Sequence, residues 1–283
     1  MGWSENNLKK RTGKTARNIM NKTVTQYALI TGASSGIGNA LARLFAKGLI
    51  DLVLVARREE TLLNLKHELE SQYSITVHVL AEDLSDPDAP ERIFKYTEEK
   101  NIFIEYLVNN AGFGLFGFFI DTDWQKEEQM LQVNISALTA LTKFYGRKMG
   151  EKQYGRILNI ASTAAFQPGP LMSVYYATKH YVLAFSEAIA NELKDKQVTV
   201  TTLCPGPTAS EFQSTANAED SKLFKNKKLP TAEEVARYGY KMMMKGKTLA
   251  IHGGVNKLMA TGVRFLPRKW VTQIVRIISE KAS

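Results

Sequence analysis

Cysteine is nearly absent from this chain: Cys204 is the only one in 283 residues. An intrachain disulfide and a cysteine-rich metal site are therefore excluded, and a reducing, cytoplasmic compartment is the simpler expectation. Long apolar runs are missing too. Nothing approaches the roughly 18 uninterrupted apolar residues of a transmembrane helix, and the first 24 residues hold no apolar stretch of signal-peptide length. His67, His78, His180 and His252 show no metal-ligand spacing with Cys or acids. Internal repeats and composition breaks are absent as well, so one folded unit is expected over 27–283.

Charge is plentiful but uneven. The formal net charge is +9; residues 1–26 carry six Lys/Arg against one Glu, and residues 241–283 carry nine against one. The ends thus hold +5 and +8, leaving −4 for the stretch between them. A nucleic-acid binder normally carries its basic patch within the folded unit, so nucleic acid is discounted as a partner. The basic extension 1–26 (Lys9, Lys10, Arg11, Lys14, Arg17, Lys22) reads as a solubilising tail.

What is present is alternation. Short apolar runs at Tyr27–Thr31, Asp51–Val55, Ile75–Leu80, Ile104–Val108, Arg156–Ile160 and Val198–Leu203 read as strands. Helical spacing fills the intervals: Ile37–Lys47 with Gly48 as its cap, Asp88–Lys100, about 123–149, and Ser173–Lys194. This is the signature of an α/β fold, a Rossmann-type doubly wound parallel sheet with helices on both faces. Such a sheet binds its ligand beyond the carboxyl ends of the strands. Pro205, Gly206 and Pro207 interrupt the pattern, and 207–230 is expected to be a functional loop or lid.

Glycines at 32, 36 and 38, within Thr31-Gly-Ala-Ser34-Ser35-Gly-Ile37-Gly38, stand between the first strand and the first helix. They let the backbone turn tightly and a pyrophosphate approach the helix N-terminus. The second strand ends in Ala56-Arg57-Arg58, where an NAD enzyme would place an acid for the ribose 2′-hydroxyl. An arginine there can pair with a 2′-phosphate, so NADPH is expected over NADH, with Arg57 preferred as the nearer and Arg58 in reserve. Asp83-Leu84, after the third strand, is placed to meet the adenine. Asn110-Ala111-Gly112, after the fourth, lines the same crevice.

Tyr175 and Lys179 lie four apart on a helix, with Cβ atoms about 5–6 Å apart. A neighbouring ammonium favours the phenolate, which makes a phenol that ordinarily titrates near roughly 10 a usable acid/base. Tyr176 lacks a lysine at that offset. With a dinucleotide turn upstream, the chain reads as a reductase.

The set Thr31-Gly-x-x-x-Gly-x-Gly38, Asn109-Asn-Ala-Gly112, Asn134, Ser162, Tyr175-x-x-x-Lys179 and Pro205-Gly206 resembles the short-chain dehydrogenase/reductase family over about 27–210. The resemblance implies that Tyr175 donates the proton, Ser162 polarises the substrate oxygen, and Lys179 lowers the tyrosine pKa and holds the nicotinamide ribose. It further implies that Asn134 holds a water linking Lys179 to solvent, that Thr208 contacts the carboxamide, and that the chain forms a dimer or tetramer. A nucleotide-sensing regulator without turnover and an epimerase or dehydratase on the same scaffold are the alternatives.

Aromatic and aliphatic residues in the lid (Phe212, Leu223, Phe224) and in Phe113–Phe119 point to a bulky apolar ketone such as a hydroxysteroid, a bile acid or a 3-oxoacyl group. Glu211, Lys225, Lys227 and Lys228 add charge there. At 267–281, Trp270, Val271, Ile274, Val275, Ile277 and Ile278 form an apolar helical stripe among basic residues. Packing within the domain or on a partner subunit is the expectation, with membrane-surface contact as the other reading.

Overall fold

The computed structural model describes residues 26–209, 211–212, 216 and 229–280. The basic extension before Gln26 and most of the lid, including Leu223, Phe224, Lys225, Lys227 and Lys228, lie outside the described residues.

Seven parallel strands make one sheet in the order β3-β2-β1-β4-β5-β6-β7. They are β1 (Tyr27–Thr31), β2 (Asp51–Ala56), β3 (Val77–Ala81), β4 (Ile104–Asn109), β5 (Gly155–Ile160), β6 (Val198–Cys204) and β7 (Leu249–Ile251). The inner strands read as continuous apolar runs because both faces are covered. Ala28 and Ile30 of β1 enter one core with Leu52 and Leu54, whereas Leu29 enters the other with Val53 and Leu107. Helices α1 (Gly36–Lys47), α2 (Glu59–Gln72) and α7 (Ala232–Met244) close the first face; Leu41, Phe45, Leu62, Leu65, Val235 and Met243 are buried in it. Helices α3 (Ala89–Glu99) and α5 (Leu138–Lys152) close the second with Ile93, Leu141, Tyr145 and Met149. A leucine buried this fully contributes about 1.5–3 kcal/mol by leaving water.

Several expected boundaries shift. The third strand begins at Val77 rather than Ile75. After α1, Gly48 takes an ordinary φ of −80°, and the left-handed position falls on Leu49 at φ 58°. Leu49 is tolerated there because its amide donates to the Ala46 carbonyl at 2.9 Å and its side chain stays in solvent. The helix expected at about 123–149 is three pieces: α4 (Trp124–Leu131), a π-helical turn (Gln132–Ala137) and α5. The π-turn spans only six residues, too short a stretch for side-chain periodicity to distinguish it from the α-helix around it. Helix α6 (Ser173–Glu192) follows β5, and α7, β7 and α8 (Gly254–Gly262) complete the C-terminal part without a motif to announce them.

Helix α9 (Arg268–Ser279) forms where its stripe predicts, but the stripe divides. Val271 and Val275 are buried; Trp270, Ile274, Ile277 and Ile278 face solvent. Packing on the domain thus accounts for only one edge of it. Among the described residues no helix is long and apolar enough to cross a membrane.

β1 sits between β2 and β4, so the chain winds away from it in both directions. The crevice opens at the carboxyl ends of these strands, at Thr31 and Asn109.

Candidate active site

The glycine turn is built for close approach. Gly32 and Gly36 have φ of 65° and 54°, in the region that disfavours side chains. A Cβ on Gly38 would lie 2.3 Å from the Gly32 carbonyl oxygen and 2.5 Å from Asn110 Nδ2. The Asn110 amide donates to the carbonyls of Thr31 (2.9 Å) and Gly32 (3.1 Å). In return Thr31 Oγ1 accepts from the Asn110 and Ala111 amides, both at 3.0 Å. Ser35 caps α1 without a side-chain hydrogen bond to the turn, and no acid stands in the first turn. The first amides of α1, with the positive end of its dipole, are thereby offered to an anion. The cradle, its small residues and the helix end fit a dinucleotide pyrophosphate.

At the mouth of the cradle the two arginines separate. Arg58 donates to Ser34 Oγ at 3.1 Å and to Glu211 at 2.9 Å. Its hydrogen bond holds the Glu211 carboxyl below the usual range, and Glu211 also reaches Ser35. Arg57 instead leans 3.9 Å from Asp83, whose carboxylate accepts from the Ser85 amide and hydroxyl. Arg58, the reserve on sequence grounds, is the one held against the glycine turn. The physical reason lies in the N-cap backbone of Arg58 (φ −84°, ψ 87°), which turns the chain toward Ser34 before α2 begins. Leu84 is buried in the second core and Ile37 packs against the first.

Beyond the cradle, four expected residues meet. Ser162 lies close enough to Tyr175 to moderate the electrostatics of its phenol. Ser162 Oγ also accepts from the Ala164 amide at 3.1 Å and reaches the Pro205 carbonyl at 3.4 Å. Lys179 Nζ donates to the Ile160 carbonyl at 2.9 Å and lies 5.7 Å from the centroid of the Tyr175 ring. Asn134 sits in the π-turn; its Oδ1 accepts from the Phe113 amide at 3.2 Å, and its Nδ2 donates to the Phe113 carbonyl and Thr178 Oγ1, both at 3.0 Å. Gly112 lies between Asn134 and Lys179: a Cβ there would stand 2.9 Å from Asn134 Oδ1 and 3.4 Å from Lys179 Nζ. Thr208 is buried and donates to the Gly206 carbonyl at 2.9 Å.

Electrostatics correct one expectation. Burial pushes the Tyr175 phenol well above its ordinary value; the nearby Ser162 hydroxyl opposes this and Tyr176 adds to it. Lys179 does not dominate the phenol. Burial drives the lysine itself down to about 8, and its proton is already committed to Ile160. The fold therefore holds Tyr175 as a neutral phenol, the form that can give a proton.

The tyrosine lies in an apolar wall. Phe212 stacks obliquely on its ring at 5.2 Å, and Met130, Met172, Val271 and Val275 share the cluster. A Cβ on Gly114 would touch Met172 and Phe212, both at 2.9 Å. Sequence reasoning missed Met130, Met172 and Thr178, and gave Thr31 no part beyond opening the glycine motif. Their types are those of any core or turn, so only the fold reveals their place.

The short chain dehydrogenase profile matches residues 26–221. Over 183 residues the chain is 32% identical to a 7beta-hydroxysteroid dehydrogenase of Mediterraneibacter gnavus, covering 65% of this chain and 69% of that one. A short-chain dehydrogenase from Sphingobium yanoikuyae in complex with NADPH superposes with a TM-score of 0.77 at 28% identity, covering 91% and 98% of the two chains. The bulky-bulky ketone specific alcohol dehydrogenase from Comamonas testosteroni has a TM-score of 0.72 at 27% identity, covering 84% and 92%. With that cradle, that tyrosine and these relatives, the chain belongs to the short-chain dehydrogenases, NAD(P)-binding oxidoreductases that interconvert CH–OH and C=O.

Proposed function

We propose that this protein is an NADPH-dependent carbonyl reductase acting on a bulky, apolar ketone of hydroxysteroid, bile-acid or 3-oxoacyl type. The observation that carries it is the buried Tyr175, with Lys179 5.7 Å from its ring centroid and an apolar wall around it. Reduced nicotinamide supplies the hydride. Ser162 and Tyr175 present hydrogen-bond donors to one carbonyl oxygen, and Tyr175 gives its proton as that oxygen takes up charge. Lys179, 5.7 Å from the ring, stabilises the phenolate left behind and holds the nicotinamide ribose.

Asn134 is anchored by Phe113 and Thr178 through both Nδ2 protons, while its Oδ1, which accepts one bond from the Phe113 amide, keeps a second lone pair for a water in the proton path. Its anchoring also pins the π-turn against the Phe113 segment and Thr178. Gly32, Ser34, Ser35, Gly36, Ile37 and Gly38 seat the pyrophosphate. Arg58, with Ser34 and assisted by Arg57, receives the 2′-phosphate. Asp83 and Leu84 border the adenine, Asn110, Ala111 and Gly112 the adenosine ribose, and Pro205, Gly206 and Thr208 the carboxamide.

The wall of Met130, Met172, Phe212, Val271 and Val275 supports an apolar substrate. The specificities of the relatives, a 7beta-hydroxysteroid and bulky-bulky ketones, point the same way. Assembly as a dimer or tetramer belongs to the same reading, and light scattering reads it directly. The test is oxidation of NADPH against NADH with steroid, bile-acid, 3-oxoacyl and small aliphatic ketones. Turnover with NADPH on one bulky class supports the proposal. Cofactor binding without turnover across the panel overturns it in favour of a regulatory protein.

A further inference from the structure

We infer that the surface formed by α8, α9 and the segment joining them docks on an anionic lipid bilayer. Exposed apolar residues are concentrated there. Val255 and Leu258 on α8 are 72% and 74% exposed, Phe265 on the joining segment 83%, and Trp270 and Ile277 on α9 60% and 61%. Trp270, Ile274 and Ile277 follow one another at helical spacing, one residue offset from the buried stripe of Val271 and Val275. Neighbouring Phe118 extends the surface, since the Arg276 guanidinium lies 4.7 Å from its ring centroid. Single exposed apolar residues are ordinary on a protein surface, but a run of this kind along consecutive elements marks an interaction site.

Charge selects the occupant. Lys257, Arg264, Arg268, Lys269 and Arg276 lie on this stretch, and Glu280 is the only acid between 254 and 280. That acid is paired with Arg276 at 3.3 Å. A second copy of the chain would bring the same cations face to face across a two-fold axis, which like-charge repulsion opposes. A bilayer carrying anionic headgroups complements the cations and receives the apolar stripe, with Trp270 at the headgroup level.

The buried edge of α9 shares its cluster with Tyr175, so docking sets the wall of the candidate site beside the acyl region. That last point rests on the carbonyl-reductase reading. The docking itself does not, and neither does its test.

The experiment is co-sedimentation of the full chain with vesicles of phosphatidylcholine, alone or mixed with phosphatidylglycerol, at low and high salt. Binding is expected to be at least about tenfold stronger to the anionic vesicles and to weaken at about 0.5 M salt. Leu258→Ser/Phe265→Ser/Trp270→Ser should lose at least about tenfold in partitioning. Arg268→Gln/Lys269→Gln should lose about 10–30-fold, since each basic residue near an anionic surface contributes about fivefold. All five positions are exposed, and an unchanged melting temperature confirms that the variants fold. The inference is overturned if the wild type ignores the anionic vesicles. It is equally overturned if both variants bind as well as wild type, which would assign binding to the basic N-terminal extension. A triple variant that changes the oligomeric mass while wild-type protein leaves the vesicles alone would identify a subunit interface instead.

Discussion

Lys179 reaches the Ile160 carbonyl at 2.9 Å while standing 5.7 Å from the Tyr175 ring centroid. The lysine is thus fixed by the main chain of β5, with its charge held beside the tyrosine ring. Proton donor and positive charge are separable parts, and the first predictions exploit that.

Tyr175→Phe removes the proton source and little else, because the ring keeps its packing against Phe212 and Met172. Ketone reduction should fall by about 10²–10⁴-fold, the usual contribution of a positioned acid. Cofactor binding, read by fluorescence titration, should stay within about twofold. Undiminished turnover would remove Tyr175 from the mechanism.

Lys179→Met should abolish turnover and yet raise the melting temperature. The drop from 10.5 to about 8 corresponds to about 3 kcal/mol spent on burying the charge. Losing the hydrogen bond to Ile160 returns about 1 kcal/mol of that. A net gain of about 2 kcal/mol is a rise of roughly 4–6 °C. The sign depends on pH: below about 8 the folded lysine is charged and the gain is complete, and above 10.5 it is neutral in both states and the gain disappears. Calorimetry at pH 7 and at pH 10.5 checks both ends.

The rate of ketone reduction should hold steady up to about pH 8 and fall above it. Lys179 loses its charge there, while the Tyr175 phenol, raised by burial, still keeps its proton. Lys179→Arg keeps a charge throughout the accessible range. Whatever activity that variant retains should show no fall near 8, and a profile identical to wild type would remove Lys179 as its origin.

Arg58→Ala should weaken NADPH binding by about tenfold and leave NADH binding unchanged. A hydrogen bond to a charged group is worth about 1.5–3 kcal/mol, and the lower end applies because the Arg58 side chain is half exposed. Arg57→Ala, on a residue held 3.9 Å from Asp83, should have the smaller effect. Equal losses for both dinucleotides would show that Arg58 serves the glycine turn rather than the 2′-phosphate.

Much of this was legible in the residues. The strands of the sheet centre are apolar on both faces and announce themselves, and Gly38 could only be glycine beside Gly32 and Asn110. Ser162, Tyr175 and Lys179 converge as their motif implies. What escaped was set by backbone path or by enclosure. The π-turn around Asn134 is too short for its different spacing to show in the sequence. That Arg58 rather than Arg57 meets Ser34 hangs on one pair of dihedral angles. The tyrosine's protonation depends on how many apolar groups close over it, and these come from α4, α6, α9 and the segment around Phe212.

Thr31 and Asn110 are stitched together from both sides, each bonding the other's main chain. The phosphate cradle is therefore riveted across two central strands and cannot flex open without tearing β1 from β4. Its order is established when the sheet forms, and a dinucleotide arriving later meets a finished socket rather than a loop still to be frozen. Mutations that loosen the sheet centre, however far from any ligand, should be felt first as a loss of grip on the dinucleotide.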